Sequence, residues 1–361
     1  MNSEISSDEY LPINQFIQIT LCQKHLNNLK KEESMNIQSL VKELERQKPL
    51  KWDKKVSSSQ FEMIPQEEGL HFKLPDDNSF PISESCHIQI ADKLDIPFKY
   101  YRKMEAESPE LLIENVNTWL KKKEKDFFLR GLGESIRAFL SDRYRVIDHL
   151  DVLCCALNEL QAHEIEIEDC YLSETEMNIK VKSQKLQDFV RHREDLIIGG
   201  LFFTNSETGH KALRLEPRLF RVKCSNGMIV EEFVTREVHL GIGDTFSDEM
   251  TYLSIRRSIR ELFSKFGEII QTLRDSTEMK IRNVQRVINN VVKHYKLSEA
   301  QRENILMAFG AEPEHDKFGI ANAVTLAAQK EESWEGCVDL EKVGGNIISL
   351  QAEEFRSFDE H

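Results

Sequence analysis

The chain has 361 residues, of which 40% are hydrophobic and 30% charged, so it can build a packed core and is not wholly disordered. Its formal net charge of -14 argues against a protein that coats duplex DNA through bulk charge alone. No apolar run approaches the roughly 18 residues of a membrane helix, and the polar N-terminus does not resemble a secretory signal. We therefore expect a cytoplasmic protein with no membrane partner.

Metal and cofactor motifs are not found in the sequence. The seven cysteines are an odd number without CxxC spacing, which favours free thiols over a zinc site. The histidines show no HxH or HExxH spacing, and no glycine-rich stretch matches GxxxxGK[ST] or GxGxxG. We expect no metal and no cofactor.

The N-terminal third begins with residues 1–34, which we expect to be a flexible extension. A helical pattern follows over Ile37 to Leu44, and residues 83–104 have the outline of a helix-turn-helix broken at Asp95-Ile96-Pro97. Two interpretations stay open for the latter segment: a DNA-recognition unit or simply two packed helices.

From about residue 127 to residue 238 the apolar period shifts towards two, which is typical of strands. Asn226-Gly227 predicts a tight hairpin turn between the last two of them. The strand candidates are Ile136–Leu140, Ile165–Leu172, Met177–Val181, Ile197–Thr204, Leu213–Cys224 and Met228–Val234.

After residue 245 the pattern becomes helical. One long amphipathic helix is predicted from Phe246 to Leu273, and Ser298 to Gln301 is a capping box for a later helix. We expect an α+β fold, with a mainly antiparallel sheet and flanking helices over 35–245. A helical segment over 246–330 would pack on that core, and 331–361 would form an acidic tail.

The first basic stretch covers residues 134–148. Strand alternation gives it one packed face and one face that bears guanidinium groups around an aromatic ring, a surface suited to single-stranded nucleic acid. Ser141-Asp142 is a possible turn that would break this alternation, and a salt-bridged solvent face is the alternative interpretation. The face consists of Arg137, Phe139, Arg143 and Arg145.

The second basic stretch covers residues 213–224. Its apolar parity switches between Leu219 and Phe220, which predicts a bulge near Pro217 to Phe220. Such a bulge would bring four cations to one side of the strand. They are Arg214, Arg218, Arg221 and Lys223.

At these residues the sequence resembles the bacterial phage/plasmid-like family known as domain of unknown function 932. The resemblance runs from about Met35 to Ala328. It implies a gene of mobile elements, and the family offers no settled activity or catalytic residues. The motifs that carry it include the segment from His87 to Tyr101, Asn115–Trp119, Arg137–Arg145, Asp148, Asn205–Gly209, Arg221–Gly227 and Asn322–Thr325.

These observations favour a non-enzymatic α+β protein of a phage, plasmid or integrated element that binds single-stranded DNA through the arginine faces and self-associates through its helices. The alternative is a protein-interaction module that modulates a host factor through its acidic surface. A hydrolase or nuclease would need carboxylates that converge in space. The candidates for that are Asp142, Asp148, Glu207 and Glu216.

Overall fold

The computed structural model of the chain describes residues 35–161, 164–191, 195–230, 235–237 and 248–360. The expected α+β class is confirmed: three antiparallel sheets carry flanking helices, and helices make up the C-terminal part. The predicted extension 1–34 lies outside the described residues. Within the described residues, no helix is both long enough and apolar enough to cross a membrane.

The N-terminal part joins two small sheets to a group of helices. One sheet has the order β1-β5-β6 and the other the order β2-β3-β4. Their shared apolar core includes a cluster of phenylalanines. The strands are β1 (Lys51–Ser57), β2 (Glu62–Gln66), β3 (Gly69–Lys73), β4 (Ser79–Pro81), β5 (Asp126–Leu132) and β6 (Ser135–Ser141). Helix α1 (Ile37–Gln47) packs on the larger sheet that follows in the chain, and the helices of this part are α2 (Glu84–Lys93), α3 (Phe98–Glu107) and α4 (Pro109–Lys123).

Local sequence explains where these helices begin and end. The Ser83 side chain accepts a hydrogen bond from the backbone N–H of Cys86 and caps α2, and Pro109 occupies the first turn of α4 where no amide partner is lost. α2 buries Cys86 and Ile90 beside β6. The segment predicted as a helix-turn-helix therefore consists of two helices, of which α2 is held in the core.

The second unit is a larger sheet with the order β11-β10-β9-β8-β7, and β12 also pairs with β10. Helix α5 (His149–Gln161) precedes it. Its strands are β7 (Ile165–Leu172), β8 (Met177–Phe189), β9 (Leu196–Asn205), β10 (Leu213–Arg221), β11 (Asn226–Ile229) and β12 (Thr235–Glu237).

The hairpin turn between β10 and β11 lies four residues before the position predicted for it. Arg221 pairs with Asn226 and Phe220 pairs with Gly227, so the turn consists of residues 222–225 and both Asn226 and Gly227 belong to β11. Ser225 supplies the positive φ of 53°. Gly227 instead leaves room for the Arg218 side chain.

Among the described residues, seven α-helices follow the sheet, and the predicted irregular acidic tail is helical over Trp334–Ser349 and Ala352–Glu360. The expected tail forms two helices; in the first, Gly344 and Gly345 permit close packing, since an added Cβ at Gly345 would lie 1.8 Å from the carbonyl oxygen of Ile229. The predicted long helix is interrupted at Lys265, whereas the capping box at Ser298 is confirmed. The helices are α6 (Asp248–Ser264), α7 (Phe266–Glu278), α8 (Val284–Tyr295), α9 (Glu299–Ala311), α10 (Lys317–Ala327), α11 (Trp334–Ser349) and α12 (Ala352–Glu360).

Candidate nucleic-acid interface

The first basic strand, β6, is covered on both faces. Arg137 is 5% exposed and donates to Glu207 Oε2 at 2.6 Å. Phe139 is fully buried, and its ring stacks on Phe127 with 4.3 Å between the ring centroids. The expected open arginine face is wrong at these two residues, because α2 and the loop that contains Glu207 cover the strand.

The other two arginines of that stretch lie beyond the strand. β6 ends at Ser141, and Arg143 lies in the turn that follows. Arg143 is exposed and Arg145 is half-buried. The turn foreseen at Ser141-Asp142 is present, so strand alternation cannot place these two arginines beside Arg137 and Phe139 on one continuous face.

Glu207 is the centre of a buried network that the sequence did not reveal. Its carboxylate accepts hydrogen bonds from Lys51 Nζ at 2.5 Å, from the His149 backbone at 2.7 Å and from Arg137 at 2.6 Å. Burial raises the pKa of this carboxyl, but the charges near it outweigh burial and hold the pKa well below its ordinary value. Burial also lowers the pKa of the His149 imidazole to about 4. Glu207 is therefore a permanent anion inside the protein.

Arg130 extends this network to the surface. Its guanidinium donates to Asp53 at 2.8 Å, to Asp148 at 2.9 Å and to the Glu207 carbonyl at 3.0 Å. We call the six charged residues the Glu207 network; three cations in it face three carboxylates. They are Lys51, Asp53, Arg130, Arg137, Asp148 and Glu207.

Two of the four hydrolase candidates do converge. Lys51 Nζ lies 2.5 Å from Glu207 and 3.7 Å from Asp148. Asp142 instead lies near Lys55, and Glu216 pairs with Lys342. Lysine and arginine side chains form ion pairs with both converging carboxylates, Asp148 and Glu207. In the described ranges no group of three or more His, Cys, Asp or Glu has metal-site geometry. The contacts therefore favour a structural role for Asp148 and Glu207 over a catalytic one.

The second basic strand, β10, is also buried, and it contains no bulge. It pairs with β9 in continuous register from Arg214–Thr204 to Arg221–Ile197. Arg218 and Arg221 therefore point to opposite faces of the sheet, and the expected grouping of four cations on one side is wrong. The apolar parity switches because both faces of β10 are covered.

On one face of β10, helix α11 covers Arg218. The 3% exposed guanidinium pairs with Glu168 at 2.5 Å and with Glu341 of α11 at 3.0 Å. Gly227 leaves room for it, since an added Cβ there would lie 2.0 Å from Arg218 Nη2. Burial raises the pKa of Glu341, but Arg218 and Lys180 together lower it to about 2.

On the other face, the loop after α9 covers Arg221. This side chain is 3% exposed and pairs with Asp195, with Glu312 at 2.7 Å and with Glu314 at 3.3 Å. Arg214 is half-buried in the strand, and Lys223 is exposed in the hairpin turn. Of the eight residues predicted to bind nucleic acid, Arg143 and Lys223 are exposed and Arg137, Phe139, Arg218 and Arg221 are buried.

Exposed aromatic rings are concentrated elsewhere, in the helical hairpin formed by α3 and α4. Phe98 is 37% exposed, Tyr100 47% and Trp119 41%. In the described part of the chain, these are three of the four aromatic side chains exposed to this degree, the fourth being Phe189. Their grouping is typical of a binding surface more than of scattered surface residues.

The end of this hairpin where α3 begins and α4 finishes also carries lysines. Lys123 Nζ lies 2.6 Å from Asp95 Oδ2, which holds the end of α4 beside the start of α3. Lys122 lies over the Trp119 ring at 4.9 Å, within cation–π range. We call this surface the lysine–aromatic corner. It consists of Phe98, Lys99, Tyr100, Trp119, Lys121, Lys122 and Lys125, all exposed.

The sequence carries a signal for this corner. Lys121-Lys-Lys-Glu-Lys125 is the densest run of lysines in the described residues, and Trp119 lies two residues before it. Such runs usually lie at solvated helix C-termini, where their positive charge interacts favourably with the negative end of the helix dipole. What distinguishes this one is the exposed tryptophan and the proximity of α3, and the second of these requires the three-dimensional fold.

Comparison of the chain with family models, with curated proteins and with solved structures finds no match.

Proposed function

We propose that this chain is a non-enzymatic, cytoplasmic accessory protein of a phage, plasmid or integrated element, and that it binds nucleic acid, with single-stranded DNA favoured. The mobile-element setting rests on the family resemblance. The binding surface is the lysine–aromatic corner, and the observation that carries the proposal is the coincidence of three exposed rings with exposed lysines at one end of a hairpin.

The chemistry of the corner fits an unpaired strand. A base that stacks on an exposed aromatic ring contributes about 1–3 kcal/mol, and lysine ammonium groups attract the phosphates. In a duplex the base faces are already stacked on one another, so the rings gain nothing from it. An acidic protein also repels a long duplex beyond the contact itself.

The location differs from the one that the sequence suggested. Arg137, Arg218 and Arg221 are committed to buried carboxylates, and releasing any of them would leave an uncompensated charge inside the protein. In the corner, Lys99, Lys121, Lys122 and Lys125 make no ion pair with a carboxylate of the described residues. Their charge is available to a ligand at no such cost.

A fluorescence-anisotropy titration with a labelled single-stranded oligonucleotide at low salt tests the proposal. We expect micromolar or tighter binding and quenching of Trp119 emission, because a stacked base lies against that ring. The Lys121→Glu/Lys122→Glu variant should bind at least about tenfold more weakly.

A matched control separates a site from bulk charge. Lys293→Glu/Lys330→Glu makes the same change in net charge at two exposed lysines of other elements and should leave the affinity within about twofold. Absence of binding at micromolar protein would overturn the proposal, and equal losses in the two variants would reduce it to non-specific attraction.

A second candidate function has one observation in its favour. Among the described residues, six buried cations are matched by six buried carboxylates, so burial leaves the acidic surplus on the surface. An acidic exterior suits a module that engages a basic surface of a host protein. The test is affinity capture from a host lysate with and without nuclease; partners that persist after nuclease treatment would favour this function over DNA binding.

A further inference from the structure

The two ends of the α3–α4 hairpin carry opposite charge. The lysine–aromatic corner lies at the end where α3 begins and α4 finishes. The opposite end, where Ser108 joins the helices, is acidic. We call that end the acidic turn; it consists of Glu105, Glu107, Glu110 and Glu114.

The charges of the acidic turn are partly unneutralised. Glu105 bonds to Arg102 at 2.5 Å, and Glu107 lies 3.9 Å from Lys103. Glu110 and Glu114 are exposed one turn apart on α4. A phosphate chain that continued from the corner along the hairpin would meet these carboxylates, and like charges oppose each other there.

We infer that the ligand is a short single-stranded segment, such as a free end or a loop of about three or four nucleotides, and that the acidic turn ends its footprint. This inference rests on the proposed function and specifies the ligand of the same site. The corner provides three partly exposed rings for stacking and four lysines that have no carboxylate partner among the described residues, so it can contact only a few nucleotides.

The salt dependence of binding measures this footprint. For a single strand, the logarithm of the binding constant falls with the logarithm of salt concentration at a slope of about -0.7 for each phosphate neutralised, so four lysines give about -3. We expect this slope for thymidine oligomers of about 6, 8 and 20 nucleotides alike, because each carries at least four phosphates, with affinities that differ only by the number of positions at which the protein can bind.

Two charge variants test the role of the acidic turn. Glu110→Lys/Glu114→Lys should lengthen the contact, steepen the slope towards about -4 and favour the longer oligomer. Glu353→Lys/Glu354→Lys makes the same change in net charge at exposed positions of α12 and should leave the slope near about -3.

The outcomes distinguish this inference from the proposed function. Binding with a slope steeper than about -6, or affinity that rises more than tenfold between about 8 and 20 nucleotides, would overturn the short footprint and leave nucleic-acid binding intact. Equal slopes for the two charge variants would show that the acidic turn does not limit the footprint. No binding by any oligomer would overturn both the short footprint and the proposed function. Both would also be overturned if an acidic peptide displaced a bound labelled oligomer at a lower concentration than the unlabelled oligomer does.

Discussion

The arginines of β6 and β10 and the lysines at the end of α4 are both dense groups of positive charge in an acidic chain, yet they lie in opposite environments. Arg137, Arg218 and Arg221 are at most 5% exposed and each contacts a carboxylate, whereas Lys121 and Lys122 face solvent. The difference follows the chemistry of the two cations. A guanidinium has five donors in a rigid fork and can satisfy several buried acceptors, while an ammonium is more strongly hydrated and is buried only where carboxylates or carbonyls accept its hydrogen bonds, as at Lys180 and Lys317.

A basic strand is therefore weak evidence for a nucleic-acid surface until the elements that pack against it are known. Arg218 and Arg221 lie three residues apart and point to opposite faces, where helix α11 covers the first and the loop after α9 covers the second. Each arginine has one partner earlier in the chain and another more than 80 residues later. These buried arginines contact carboxylates from distant parts of the chain, whereas Lys121 and Lys122 remain exposed to solvent.

The largest expected effect comes from removing a buried arginine. Arg218→Met keeps most of the side-chain volume but leaves Glu168 and Glu341 without their main partner, and we expect a loss of about 3–5 kcal/mol in the free energy of unfolding. Urea denaturation measures it. Arg143→Met, at an exposed arginine, is the matched control and should change stability by less than about 0.5 kcal/mol. Similar losses in both variants would erase the contrast between buried and exposed cations.

Acid should weaken the same contacts. The pKa of Glu341 is about 2 in the folded protein against 4.5 for the free carboxyl, so its stabilisation is complete above about pH 4.5 and disappears as the pH falls towards about 2. At about 1.4 kcal/mol per pKa unit this is a loss of about 3 kcal/mol. Denaturation curves at several pH values would measure it, and Glu341→Gln should flatten the dependence over that range. An equally steep curve in the variant would contradict the assignment.

Buried histidine adds to the acid sensitivity at higher pH. Burial lowers the pKa of His149 to about 4 from 6.5, so the unfolded chain binds a proton more readily and stability falls as the pH drops from about 6.5 to 4. The expected loss is a few kcal/mol at most, since one unit corresponds to about 1.4 kcal/mol. NMR titration of the imidazole checks the cause: a His149 pKa near 6.5 in the folded protein would contradict it.

A smaller effect is expected where the arginine needs space. Gly227→Ala would place a methyl group 2.0 Å from the Arg218 guanidinium, which must then move away from its carboxylates, at about 1–3 kcal/mol. Gly267→Ala is the control, because no atom lies within 4 Å of the added methyl and a helical alanine is favourable by about 0.5–1 kcal/mol. Thermal melts should shift in opposite directions; a neutral Gly227→Ala would show that Arg218 is less tightly held than its contacts indicate.

The smallest effect on stability is expected at the lysine–aromatic corner. Lys122→Glu removes an exposed cation that packs over Trp119, so stability should change by less than about 0.5 kcal/mol while oligonucleotide affinity falls. The two measurements are made on the same preparation. A large loss of stability would mean that the corner belongs to the core and not to a binding surface.

Much of the fold was predictable, because local patterns decide it. The strands β6 to β9 lie at or near their predicted positions, and the Ser298 capping box and the proline at the start of α4 mark real helix starts. The apolar periodicity of the sequence did not predict the facing of residues where both faces of a strand are buried. β10 shows two apolar parities for that reason, and they were mistaken for a bulge.

The candidate site was less predictable, because burial of a charge depends on distant partners. Nothing near Arg137 in sequence indicates Glu207, which lies 70 residues away. Gly344-Gly345 suggested an irregular tail, since glycine weakens isolated helices, yet in α11 these glycines permit contact with Ile229 and Thr325. The corner in turn depends on the contact between Lys123 and Asp95, which no local pattern encodes.

The position of α11 has a consequence for the order in which the protein matures during synthesis. β10 leaves the ribosome well before Glu341, so the Arg218 guanidinium has no partner from α11 while the chain is growing. Until α11 emerges, the Arg218 guanidinium has Glu168 as its carboxylate partner and lacks the second one. Docking of α11 then supplies Glu341, so this face of β10 reaches its final packing only after a residue 123 positions further along the chain has been made.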